Sequence, residues 1–171
     1  KKPLKLPSGA VVHCPLDEQQ GNRVAAGLAD GRTGRVHGQP AWDSGQVAGG
    51  LKLDGKTYID LGDTAGFERT DAFSYGAWVR ASGGGAIIAR MDDAAAYRGW
   101  DVYLTGKGVE VHLVHRWPEN SVHMISKSPL PSDRWTHVFV TYDGSSRAAG
   151  CRLYFNGKLQ PVNVTHDKLT G

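Results

Sequence analysis

The apolar residues of this chain recur at every second position rather than at helical spacing. Phe73, Tyr75, Ala77 and Val79 alternate with Ser74, Gly76, Trp78 and Arg80, and Val109, Val111 and Leu113 alternate with Glu110 and His112. The pattern predicts further strands at Ala10 to Leu16, around Leu51–Leu53 and Tyr58–Ile59, from Ile87, and at Trp100 to Leu104. Others follow at Val122 to Ile125, from Trp135 to Tyr142 and at Cys151 to Phe155. Turn signals separate them. Gly106-Lys107-Gly108 reverses the chain before Val109, and Asp54-Gly55 and Asn156-Gly157 are dipeptides of tight hairpins. Only Glu18 to Ala29 could hold a short helix, and Gly21 and Gly27 weaken it. Many short strands with turn signals at roughly ten-residue spacing predict an all-β sandwich or barrel. Trp78, Trp135, Phe73 and Phe139 are expected in its core.

Composition narrows the classes of function. The 171 residues suit one domain, and 23 glycines fit a chain of many turns. A formal charge of +3, spread without a basic block, argues against nucleic-acid binding. No apolar run approaches a membrane span, so membrane insertion is not expected. Cys14 and Cys151 could form one disulfide, but two small buried thiols are the plainer reading.

Four stretches stand in a recognisable order. They are Pro15-Leu16-Asp17-Glu18; Leu53-Asp54-Gly55 with Tyr58 to Gly62; Phe73 to Val79; and Trp135-Thr136-His137-Val138 through Tyr142-Asp143-Gly144 to Leu153-Tyr154-Phe155-Asn156-Gly157. Together they resemble the laminin-G-like, concanavalin A-like lectin/glucanase family. A narrower resemblance, in Arg90-Met91-Asp92, Tyr97 to Trp100, His115 to Pro118 and Arg147 to Gly150, is to the version embedded in large bacterial cell-envelope proteins with cytochrome c-like segments. The resemblance implies an all-β jelly-roll sandwich of two antiparallel sheets in an extracytoplasmic, glycan-related setting. Residues 1–171 then form a single such domain from a longer protein, ending before the family's final strands and leaving a sheet edge unpaired.

Glycosidases of this fold place acids on alternate residues of one strand. Here no two Asp or Glu residues lie two or four positions apart, and Asp92-Asp93 and Asp17-Glu18 are adjacent, so each pair would face opposite ways on a strand. No enzyme activity is expected. Gly50 to Thr57 matches a phosphate-loop pattern, but its middle alternates like a strand and no helix is predicted after it. The match is rejected.

The hairpin from Val109 to Lys127 carries the most chemistry. With Val109, Val111, Leu113, Val122 and Met124 inward, Glu110, His112 and Arg116 share the outer face with His123 and Lys127, and Glu110 is expected opposite Lys127. Trp117 and Asn120 would stand at its lip, near Tyr97, Arg98 and Asp101. Sugars need an aromatic platform and planar polar side chains that share hydroxyls. Arg90, Asp92, Tyr97, Arg98, His112, Arg116, Trp117 and Asn120 supply those types and form the expected ligand-binding set. The competing reading is a packed corner at Trp117-Pro118 and an ion-pair network of Arg90, Asp92 and Arg98. His115 falls on the other face from His112 and His123, so at most two histidines could meet a metal there. Asp143 and Asp60, with Asp54 as an alternative, are the expected ligands of a structural calcium, and the resemblance is what suggests that cofactor. The expected function is a non-catalytic, lectin-like module that binds a polysaccharide, with a mild lean toward an anionic one. The alternative is a structural or protein-interaction domain packing against neighbouring domains.

Overall fold

Among the residues that the computed structural model describes, 6–27, 31 and 33–171, every strand pairing is antiparallel. The chain divides into two units, Lys1–Gly66 and Phe67–Gly171.

In the first unit, β1 (Arg23–Ala25), β2 (Thr33–His37) and β5 (Tyr58–Asp60) form one sheet in the order β1-β2-β5. Strands β3 (Ala41–Ser44) and β4 (Gly49–Lys52) form a separate hairpin. Val24 and Val36 are buried from alternate positions. Gly34 stands directly opposite Val24, where a Cβ would meet the Val24 and Leu61 side chains at 2.7 Å.

Three expectations fail in this unit. Residues 10–16 form no strand; Pro15 interrupts the run, and the His13 N–H donates to the Ala26 carbonyl at 2.9 Å. Residues 18–27, the described part of the predicted helix, contain β1 and no helix. Asp54-Gly55 does not close a hairpin, because β4 is already paired with β3 and β5 with β2. Instead the Asp54 carboxylate accepts the N–H groups of Lys56 and Thr57 at 3.0 and 2.8 Å, turning the chain from one sheet to the other.

The second unit is a two-sheet sandwich. Strands β7 (Gly85–Asp92), β8 (Arg98–Leu104), β9 (Val109–Arg116) and β10 (Asn120–Ser126) run as a meander, and β14 (Val162–Lys168) returns to the far side of β10. The facing sheet is β6 (Phe73–Val79), β11 (Thr136–Tyr142), β12 (Cys151–Phe155) and β13 (Lys158–Leu159), in the order β13-β12-β11-β6. Asn156-Gly157 makes the expected hairpin, with φ of +50° and +76° at its two central residues. Strand β14 was not predicted.

Period-two alternation builds the core. Val102, Val109, Val111, Val122 and Met124 of the first sheet and Val138, Val140 and Leu153 of the second are almost fully buried. Trp100 sits in an aromatic cluster, with ring centroids 4.5 Å from Tyr75, 5.5 Å from Phe73 and 6.3 Å from Phe67. The Tyr75 hydroxyl crosses between the sheets to donate to the Asp101 carbonyl at 2.9 Å.

Of the four aromatics expected inside, only Phe73 is buried. Trp135 and Phe139 are half-buried and Trp78 is 44% exposed. Trp78 and Phe139 occupy the outward parity of β6 and β11, opposite to Phe73 and Val138, and flank His137 there at 5.2 and 5.5 Å. Both cysteines are free thiols. Cys14 lies outside any strand, contrary to expectation. Burial pushes Cys14 up to about 11 and Cys151 to about 12, so both are protonated at neutral pH.

Candidate ligand-binding face

One row of side chains crosses the outer face of the five-stranded sheet. Asp101 of β8 pairs with His112 of β9, His112 with His123 of β10, and His123 with His166 of β14. Directly opposed residues share a face, so all four project away from the buried valines. Asp101 Oδ1 lies 2.7 Å from His112 Nδ1, and Glu110 Oε2 lies 3.1 Å from His123 Nε2 and 3.6 Å from His112 Nε2. The His112 and His123 rings stack at 4.3 Å, only 5° from parallel. Thr165 Oγ1 lies 2.6 Å from His123 Nδ1 and 3.2 Å from His166 Nδ1. Burial, with a smaller push from the neighbouring His112 imidazole, holds His123 below its ordinary value, so this ring is neutral at pH 7.

Trp117 covers the row. Its ring centre lies 5.2 Å from His112, 5.4 Å from His123 and 5.0 Å from His166, each in an edge-to-face arrangement. The β9–β10 turn holds it there: the Trp117 N–H donates to the Ala96 carbonyl at 3.0 Å, and the Ser121 hydroxyl donates to the Pro118 carbonyl at 2.8 Å. Tyr103, 40% exposed and directly opposite Glu110, provides a second aromatic surface on this face.

The expected ligand-binding residues divide between the two faces of the sheet. His112 and Trp117 lie on the outer face. Arg90, Asp92 and Arg98 share the parity of Trp100 and line a pocket of about 140 Å³ beside it, with Glu68 and Leu169. Arg98 there binds Glu68 at 2.7 Å and lies 3.1 Å from His115 Nδ1, while Asp92 accepts the N–H groups of Ala94 and Ala95. Tyr97 is exposed in the β7–β8 turn, and Arg116 is exposed at the end of β9. Asn120 is bound on both sides of its amide by Thr170, at 2.8 and 3.1 Å. These eight residues are therefore not one constellation.

Glu110 stands opposite Ile125 rather than Lys127. A register shift between Asn120 and Ser121, beside the turn at Trp117 to Glu119, slides the strands relative to the simple hairpin. His115 does fall on the face away from His112 and His123, as expected, beside Arg98. Sequence reasoning missed His166 and Thr165 because β14 was not read as a strand. Asp60 and Asp143 belong to different units and each serves a turn. Asp60 accepts the Gly62 N–H at 2.8 Å. Asp143 accepts that of Ser145 at 2.9 Å, and hydrogen bonds from the Ser145 side chain and backbone hold its carboxyl below the ordinary value.

Residues 53–171 match the laminin G model of the concanavalin A-like lectin/glucanases superfamily, and the chain belongs to that family. The fold is also similar to a crystal structure of an S-layer domain-containing protein (residues 221–444) from Clostridium thermocellum ATCC 27405. The two share 21% identity at a TM-score of 0.55, over 89% of this chain and 71% of that one. No curated protein matches the chain.

Proposed function

We propose that this chain is a non-catalytic carbohydrate-binding module that works in an extracytoplasmic, cell-envelope setting. The observation that carries the reading is the outer face of the five-stranded sheet, where Trp117 and Tyr103 flank a row of imidazoles and carboxylates. Aromatic rings suit the apolar faces of sugar rings, and fixed polar side chains suit their hydroxyls. Membership of a lectin-containing family supports this, and the S-layer relative is in keeping with an envelope setting. Asp101 and Glu110 come from neighbouring strands onto one face, as a hydrolase would require, but both are engaged by imidazoles. That favours binding over hydrolysis. Two carboxylates on the face also favour a neutral glycan over an anionic one.

Glycan-array screening followed by calorimetry on the best ligand tests the reading. Trp117→Ala and Tyr103→Ala are each expected to cost about 2 kcal/mol, roughly thirtyfold in affinity, as for an interface anchor. Affinity that rises with added calcium would show that the glycan-binding form of the module holds that ion. A folded protein that binds no glycan would overturn the proposal.

A second reading, a protein-interaction domain, has its own observation. The outer face of the four-stranded sheet carries Trp78 at 44% and Leu159 at 59% exposure, with half-buried Phe139 and Tyr154. Absence of glycan binding together with loss of a partner in Trp78→Ser would establish that reading instead.

A further inference from the structure

We propose that Glu110, His112 and His123 form a binding site for a divalent transition-metal ion of the zinc class. This goes beyond glycan binding and does not rest on it.

Three donor atoms converge from β9 and β10. One donor atom from each of the three residues lies within 4.8 Å of the other two, and Glu110 Oε2 is 3.1 Å from His123 Nε2 and 3.6 Å from His112 Nε2. Ligands bound to zinc at about 2.0–2.1 Å in a tetrahedron stand roughly 3.3 Å apart. The carboxylate–imidazole distances bracket that value. Two nitrogens and one carboxylate oxygen are the donor types such an ion takes, and three protein ligands leave its fourth position to water.

The atoms behind the donors are arranged as a metal site requires. A ligating imidazole is normally oriented by a hydrogen bond from its other ring nitrogen. His112 has Asp101 Oδ1 at 2.7 Å from Nδ1, which places the proton on Nδ1 and leaves Nε2 with its lone pair. His123 has Thr165 Oγ1 at 2.6 Å from Nδ1. The second oxygen of Glu110 accepts from the Thr105 hydroxyl at 3.1 Å. Each of the three ligands is thus held from behind by a residue on a different strand or turn.

Burial and rigidity point the same way. The side chains of Glu110, His112 and His123 are 19%, 14% and 13% exposed, and they sit on strands paired on both sides. Metal entry shifts the His123 proton from Nε2 to Nδ1 and so changes both hydrogen bonds of that ring. His123 Nε2, now beside Glu110, would give up that contact and bind through its lone pair, with the ring proton on Nδ1 facing Thr165. Because the two rings lie parallel, one must also tilt about its Cβ–Cγ bond to aim at a shared ion.

The test is calorimetric titration of ZnCl2 into the full chain after chelator treatment, with the visible spectrum of the Co2+ form as a second readout. One tight equivalent is expected, with the intense d–d bands of a four-coordinate Co2+ ion. H112N, H123N and E110Q should each lose at least tenfold in affinity together with those bands. D101N should lose about 10- to 100-fold, the usual effect of removing an orienting partner. H137N, on the other sheet, should change nothing. Unfolding curves for each variant confirm that the sandwich is retained. Stoichiometric binding that survives E110Q and H112N, or no binding beyond that of H112N, would overturn the proposal.

Discussion

Replacing Trp100 with alanine is expected to destabilise the protein by about 3–5 kcal/mol, while Tyr103→Ala, three residues along the same strand, should cost less than about 1 kcal/mol. The two residues differ in parity. Trp100 is 6% exposed and touches Phe67, Phe73 and Tyr75 across the gap between the sheets. Its removal leaves a cavity that neighbours on two paired strands cannot collapse into. Tyr103 points the other way and is 40% exposed. Urea unfolding of both variants measures the contrast. Equal losses would mean that β8 presents the wrong face to the core.

The second large effect lies one residue earlier. Gly99→Ala is expected to cost on the order of 3 kcal/mol, through backbone strain and overpacking together. Gly99 has φ of +138°, a region that side chains rarely adopt, and a Cβ there would stand 1.8 Å from the Arg90 carbonyl oxygen. No rotamer relieves a clash with backbone. The β7–β8 pairing would have to open where Met91 faces Gly99, beside the pocket lined by Arg90 and Arg98. A urea midpoint unchanged by the substitution would show that the two strands do not approach as closely as described.

Faces were more legible in the sequence than partners. The predicted β9–β10 register was displaced by two residues at Glu110, yet Glu110, His112 and His123 still share one face. A slip of two preserves the pleat, whereas a slip of one inverts it. The same logic explains what failed. Placing Arg98 and Asp92 with His112 required the β8–β9 register, in which Asp101 rather than Arg98 stands on the His112 side. Gly106-Lys107-Gly108 marks the β8–β9 turn, and counting back from the Leu104–Val109 pair that it closes brings Asp101, three residues and hence the opposite parity from Arg98, against His112.

Strand β14 was missed for a different reason. Val162 and Val164 alternate with polar residues, but His166, Asp167 and Lys168 follow, and Val164 remains 50% exposed at the sheet's edge. An edge strand with little to bury carries a weak apolar signal. His166 and Thr165 were lost with it. Trp78 and Phe139 show the opposite error: their size suggested core, and only parity against Phe73 and Val138 places them outside.

The order of the strands also has a consequence for how this sandwich comes into being. Strands β7 to β10 are joined by short turns, so their pairing closes only small loops. The facing sheet depends on β6 meeting β11, which closes the whole excursion from Val79 to Thr136. Loop-closure entropy and contact order make that the slower event. Pulse-labelled hydrogen exchange is expected to find the amides of β8 and β9 protected before those of β6. The aromatic cluster around Trp100, half of it contributed by β6, then locks only in the last stage of folding, after the strands that carry His112 and His123 have already aligned.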